Sequence, residues 1–165
     1  VLLMLSGIGQ ITCVTYRFLE PLNAWATHRA LGIVFGITVL VHMFGLLFDH
    51  FLPFNIGEIL IPWLSDYRPV HMFGISFGSL YVALGIIAFY LTVAIVITSL
   101  MIVEKQPKIW KLVHLLSYLT IVMIFVHALY IGTDTGHGWA RVIWLSCAAG
   151  IVIAAVFRLR RAFTT

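Results

Sequence analysis

The chain has 165 residues, of which 62% are hydrophobic and only 10% charged, with a net charge of +4. A mean hydropathy of +1.07 excludes an ordinary soluble domain, which carries about 25% charged residues. The length suits one helical bundle over 1–165, with no room for a nucleotide-binding domain beside it, and the modest positive charge lies in loops, so it is no nucleic-acid signal.

Five apolar segments follow in chain order: 1–16, 28–50, 72–103, 109–131 and 139–157. Lipid offers no partner for loose backbone groups, so each is read as a helix. All but the first are near or above the ~20 residues that span a bilayer. The expected fold is therefore an all-α polytopic transmembrane bundle of five spans. The first looks cut short, and a removed targeting segment or a sixth helix upstream of it would explain the start at Val1.

The loops set the orientation. Arg17 and Arg29, then Lys105, Lys108 and Lys111, then Arg158, Arg160 and Arg161 fall on one side, eight of the ten Lys and Arg. That side is expected to be cytoplasmic, which puts Val1 outside and Thr165 inside. Arg68 and Arg141 stand on the opposite side with Asp49, Glu58, Asp66 and Asp134. There they would meet an acidic group of a ligand, or pair with Asp66 or Asp134. The stretch 51–67, interrupted by Pro53 and Pro62, reads as a short interfacial segment with Trp63 and Tyr67 as headgroup anchors.

Four histidines lie inside the apolar segments as two matched pairs. His28 and His42 are fourteen residues apart on one helix, and His114 and His127 thirteen apart on another. Each interval is roughly 20 Å of helix rise, most of the ~30 Å hydrocarbon core. One helix separates the two, so they run parallel, and the depths match as His28 with His114 and His42 with His127. An imidazole in lipid needs a partner or a task. Two such pairs would clamp two hemes, one nearer each membrane face. Ligation by two imidazoles leaves no open iron position, which favours electron transfer.

Helix phase fits one pair better than the other. Fourteen residues bring His28 and His42 to one face, about 40° from whole turns, whereas thirteen leave His114 and His127 roughly 140° out of register. The second pair needs a bulge, a bend or hemes displaced sideways, and with no Gly or Pro between the histidines, a side-chain bond from Thr120 to the preceding turn is the candidate for a bend.

The stretches THRALGIVFGITVLVHMFGLL and IWKLVHLLSYLTIVMIFVHAL resemble the ferric reductase-like transmembrane domain family, and LSDYRPV and HALYIGTDTGHGW look like its small bacterial members without a fused flavin domain. The resemblance covers nearly the whole chain. It implies that His28, His42, His114 and His127 are axial ligands of two non-covalent b hemes, with flavin supplied only by a partner. The implied role is electron transfer in the bacterial inner membrane, from a cytoplasmic flavoprotein or quinol to an extracytoplasmic acceptor. The alternative is a heme- or pigment-binding membrane subunit that serves assembly or a short relay in a larger complex.

Other residues carry weaker signals. Gly32 and Gly36 form a GxxxG pattern that suits close helix packing or room for a porphyrin. Phe35, midway between His28 and His42, would fill the space between hemes or simply pack. Arg29 and Lys111 would meet heme propionates or anchor the cytoplasmic face. His50, His71 and His137, near Asp49, Asp66 and Asp134, have the donors for a transition ion, but solvent-exposed loop histidines need no such role. Cys13 and Cys147 give no disulfide framework and read as small buried residues. The chain shows no CxxCH motif, no Walker loop and no GxGxxG pattern.

Overall fold

The computed structural model describes residues 1–165 apart from 51, 53, 73, 74, 136 and 165, with backbone only for 72, 75–77 and 161–164. Pro53 and the Arg161 side chain, named above, lie outside the described set. The chain forms two compact units, one of 1–38 with 139–165 and one of 39–138.

The first unit begins with α1 (Leu2–Ile11), followed by a 3₁₀ turn at Thr15–Arg17 and by α2 (Pro21–Leu47), which runs on into the second unit; α7 (Gly138–Thr164) completes it. Thr12 ends α1 with its hydroxyl donated to the Ile8 carbonyl, 2.9 Å, and Cys13 turns the chain at φ 58°. Cys13 is exposed, unlike the buried residue expected. Gln10 Nε2 donates to the Ala24 carbonyl at 3.1 Å, and Ala24 is buried. Hydropathy placed the start of α2 near residue 28. Pro21 starts it a turn and more earlier, because its fixed φ and missing N–H suit the first helical position.

The second unit holds the C-terminal part of α2, α3 (Ile56–Leu60), the strands β1 (Val70–Met72) and β2 (Ile75–Phe77), then α4 (Leu80–Met101), α5 (Pro107–Leu115) and α6 (Ser117–Ile131). A capping box fixes α3: Asn55 Oδ1 accepts from the Glu58 N–H at 3.0 Å, and Glu58 Oε2 accepts from the Asn55 N–H at 2.9 Å. Tyr90 of α4 donates its hydroxyl to the Leu60 carbonyl at 2.7 Å, tying α3 to the long helix. Trp63 is exposed and Tyr67 half-buried; Tyr67 packs edge-on against Phe54, 5.9 Å between ring centroids.

The apolar run expected to be one helix over 72–103 is a hairpin followed by a helix. β1 and β2 pair antiparallel, Val70 opposite Phe77 and Met72 opposite Ile75. The helix starts at Leu80 because Ser79 caps it, its hydroxyl accepting from the Val82 N–H at 3.2 Å. The Ser79 N–H donates to the Ser65 carbonyl at 2.6 Å, and both serines are buried. A Cβ on Gly78 would overlap the Trp63 carbonyl, so only glycine lets the two backbones approach here.

Helix α4 carries the core, with Val82, Ala83, Ile86 and Ala88 buried, while α2 buries only Ala24. Its closest packing is against α6 and then α5. Among the described residues four helices are long and apolar enough to cross a membrane: Pro21–Leu47, Leu80–Met101, Pro107–Ile131 and Gly138–Arg160. The expected first span, 1–16, is helical over Leu2–Ile11, about 15 Å of rise. The spanning helices expose many large apolar side chains, as surfaces facing lipid do.

The expected bend between His114 and His127 lies at Leu116. Its N–H bonds Val113 at 3.0 Å, in the 3₁₀ manner, and Thr120, 5% exposed, donates its hydroxyl to the Leu116 carbonyl at 2.9 Å. One tighter turn adds roughly 60° of rotation, since 3₁₀ residues advance about 120° rather than 100°. The phase gap between His114 and His127 narrows accordingly, from roughly 140° to about 80°.

Two substitutions test the junction before α4. Ser79→Ala removes the cap and should cost about 1 kcal/mol. Gly78→Ala forces backbone apart and should lower the melting temperature in detergent more than Ser79→Ala does. A Gly78→Ala protein that melts with the wild type would contradict this packing.

Candidate functional site

In the second unit, α2 brings His42 beside His127 of α6. Their ring centroids are 6.5 Å apart with planes at 87°. Because α2 and α6 are not among the closely packed helix pairs, side-chain reach makes this approach. Two metal–nitrogen bonds of about 2 Å and two half-rings of roughly 1 Å put the centroids of opposed imidazole ligands about 6 Å apart. The observed spacing fits that arrangement.

His127 Nδ1 lies 2.8 Å from the Tyr81 carbonyl of α4. A carbonyl only accepts, so Nδ1 carries the proton and Nε2 keeps the lone pair a metal would take. A metal-bound histidine is commonly held this way, its other N–H given to a carbonyl. The Tyr81 ring stacks on Tyr130 at 4.5 Å and 6°.

In the first unit, His28 Nδ1 meets Ser6 Oγ of α1 at 2.8 Å. Ser6 gives its one hydroxyl proton to the Leu3 carbonyl at 2.7 Å. It therefore accepts from His28, and the Nδ1–H tautomer results again. His114, in the second unit, lies near the C-terminal end of α4, with Nδ1 3.5 Å from Ser99 Oγ. Trp110 Nε1 donates to the same hydroxyl at 3.1 Å, and its ring tilts over His114 at 5.2 Å. Along α4, Tyr81 and Ser99 thus mark two levels, one for His127 and one for His114.

The structure unites His42 with His127. His28 and His114 belong to different units, each with the partners just named. Sequence reasoning missed Ser6, Ser99, Trp110 and Tyr81. Lone hydroxyls inside apolar runs were a usable signal for the two serines, but a helix carbonyl has no sequence signature.

The remaining candidates fall as follows. Arg29 is exposed and lies over the Trp25 ring at 5.4 Å. Lys111 is exposed on α5, and Phe35 half-buried on α2. Gly36 has nothing within 4 Å of a Cβ placed on it, and Gly32 meets Leu3 of α1 at 3.9 Å. Arg68 donates to the Tyr130 carbonyl at 2.7 Å and lies over Tyr67 at 5.4 Å. Its charge answers the last turn of α6 rather than Asp66. Among the described residues no group of three or more His, Cys, Asp or Glu is placed to hold a metal ion, so the cluster considered around His50, His71 and His137 does not form there.

The family model of the ferric reductase-like transmembrane component matches residues 1–126. That span includes His28, His42 and His114 and stops one residue short of His127. No curated protein and no solved structure matches the chain. Matched over 126 of its 165 residues, with four helices of membrane-crossing length, the chain belongs to the ferric reductase-like transmembrane family and is a multi-pass membrane protein of electron transfer.

Proposed function

We propose that this chain is a transmembrane diheme b-type cytochrome of a bacterial inner membrane. It carries electrons from a cytoplasmic flavoprotein or quinol to an acceptor on the outer side. His42 and His127 hold the outer heme, and His28 and His114 the inner one. The observation that carries the reading is the His42–His127 pair, 6.5 Å apart, with the His127 Nδ1–H committed to a carbonyl.

Heme bound between paired imidazoles supplies a reversible one-electron couple with no open iron position. The residues do the rest. Tyr81 and Ser6 hold imidazoles as Nδ1–H tautomers, Ser99 and Trp110 bracket His114, and α2 spaces its two histidines by about 21 Å. The open face at Gly36 favours room for a flat macrocycle beside α2. Family membership supports the same role.

Purified protein should return close to two non-covalent hemes per chain in a pyridine hemochrome assay; none from well-folded protein would refute the reading. His42→Ala and His127→Ala should give like spectra, each lacking the same heme, and His28→Ala should match His114→Ala. A match of His28→Ala with His127→Ala would overturn the pairing. The chain alone should not be reduced by NADPH, while reduced flavin or a quinol analogue should reduce it. Rapid reduction by NADPH with no flavoprotein would contradict the assignment of the donor.

A further inference from the structure

We infer that Gly7 and Gly85 are positioning residues for His28 and His127. Each glycine seats an imidazole on a helix surface whose neighbouring oxygen takes the Nδ1 proton. The inference rests on the diheme reading and adds residues to it.

At the first seat, a Cβ on Gly7 would stand 3.1 Å from His28 Cε1 and 3.6 Å from Nδ1. The adjacent residue, Ser6, supplies an acceptor oxygen at 2.8 Å, and the Leu3 carbonyl beside it also bonds His28. At the second, a Cβ on Gly85 would overlap the His127 ring at Nδ1 and Cε1. The acceptor is the Tyr81 carbonyl, one turn back on the same helix, at 2.8 Å. That carbonyl is the natural ladder partner of the Gly85 N–H, so His127 shares an acceptor inside the helix. Only a residue with no side chain leaves the carbonyl open to a ring from outside.

The two seats share one logic. Glycine weakens a helix interior relative to alanine, so its use there needs a reason. Gly36, Gly45 and Gly150 have nothing within 4 Å, whereas Gly7 and Gly85 lie directly beneath imidazoles. Removing the cushion turns the ring away from its acceptor and away from the axis on which it would meet iron. Removing the acceptor alone leaves the ring in place but makes Nε2 a weaker electron donor. Weaker donation disfavours the oxidised metal and raises its potential.

The test uses the full chain, purified with heme, and begins with wild type. Absence of heme there refutes the diheme reading itself and is thereby distinguishable from failure of the seats. Given two low-spin hemes, Gly85→Ala should lose about half of the low-spin signal or convert it to high-spin. Gly7→Ala, with a milder contact, should give a smaller change, and Gly150→Ala none. Ser6→Ala adds no volume and should fold even if Gly85→Ala does not. It should shift one of the two midpoint potentials upward, with Ser6→Thr restoring it. A wild-type spectrum in Gly85→Ala, or an unmoved pair of potentials in Ser6→Ala, would overturn the inference.

Discussion

The imidazole N–H inside the membrane is the constraint around which the described site is organised. Lipid gives it no partner, so an oxygen of a packed helix has to take it. His127 gives its proton to the Tyr81 carbonyl and His28 gives its proton to Ser6. Each bond fixes a tautomer, and the tautomer decides which nitrogen faces a ligand. Helix packing follows from the same requirement: α6 must lie close to α4 for His127 to reach Tyr81, and α4 against α6 is the tightest packing described.

That requirement extends outward through aromatic and charged groups. The Tyr81 ring stacks on Tyr130, and the Tyr130 carbonyl takes the Arg68 guanidinium. Thr135 donates to the Ala128 carbonyl in the same last turn of α6. A helix end leaves carbonyls without partners, and here a cation and a hydroxyl answer them. Arg68, which stood out against the charge trend of its side, thus stabilises the helix that bears His127.

The sequence made the membrane bundle and the histidine spacing legible, because both rest on long, strong periodic signals. The phase mismatch between His114 and His127 points to a helix defect near Thr120; the break at Leu116 beside the Thr120 bond narrows the mismatch. Short-range features hid better. The strands Val70–Met72 and Ile75–Phe77 run straight into the apolar helix after them, so hydropathy merged them with it. Pro21 extended α2 through a polar stretch that hydropathy ignores. The acceptor of His127 is a main-chain carbonyl, which no residue type announces. Gly85 looked like one glycine among 13, and only its place beneath a ring gives it meaning.

The central claim is that His42 and His127 bind one iron from opposite sides. Low-temperature EPR of the oxidised protein tests it most directly. Nearly perpendicular imidazole planes, 87° apart, would leave two d orbitals of a bound iron close in energy. A low-spin ferric signal with strongly anisotropic g values is therefore predicted for one heme, and it should vanish in His42→Ala. A wild-type spectrum of high-spin ferric heme alone, or a strongly anisotropic signal that survives in His42→Ala, would contradict the account.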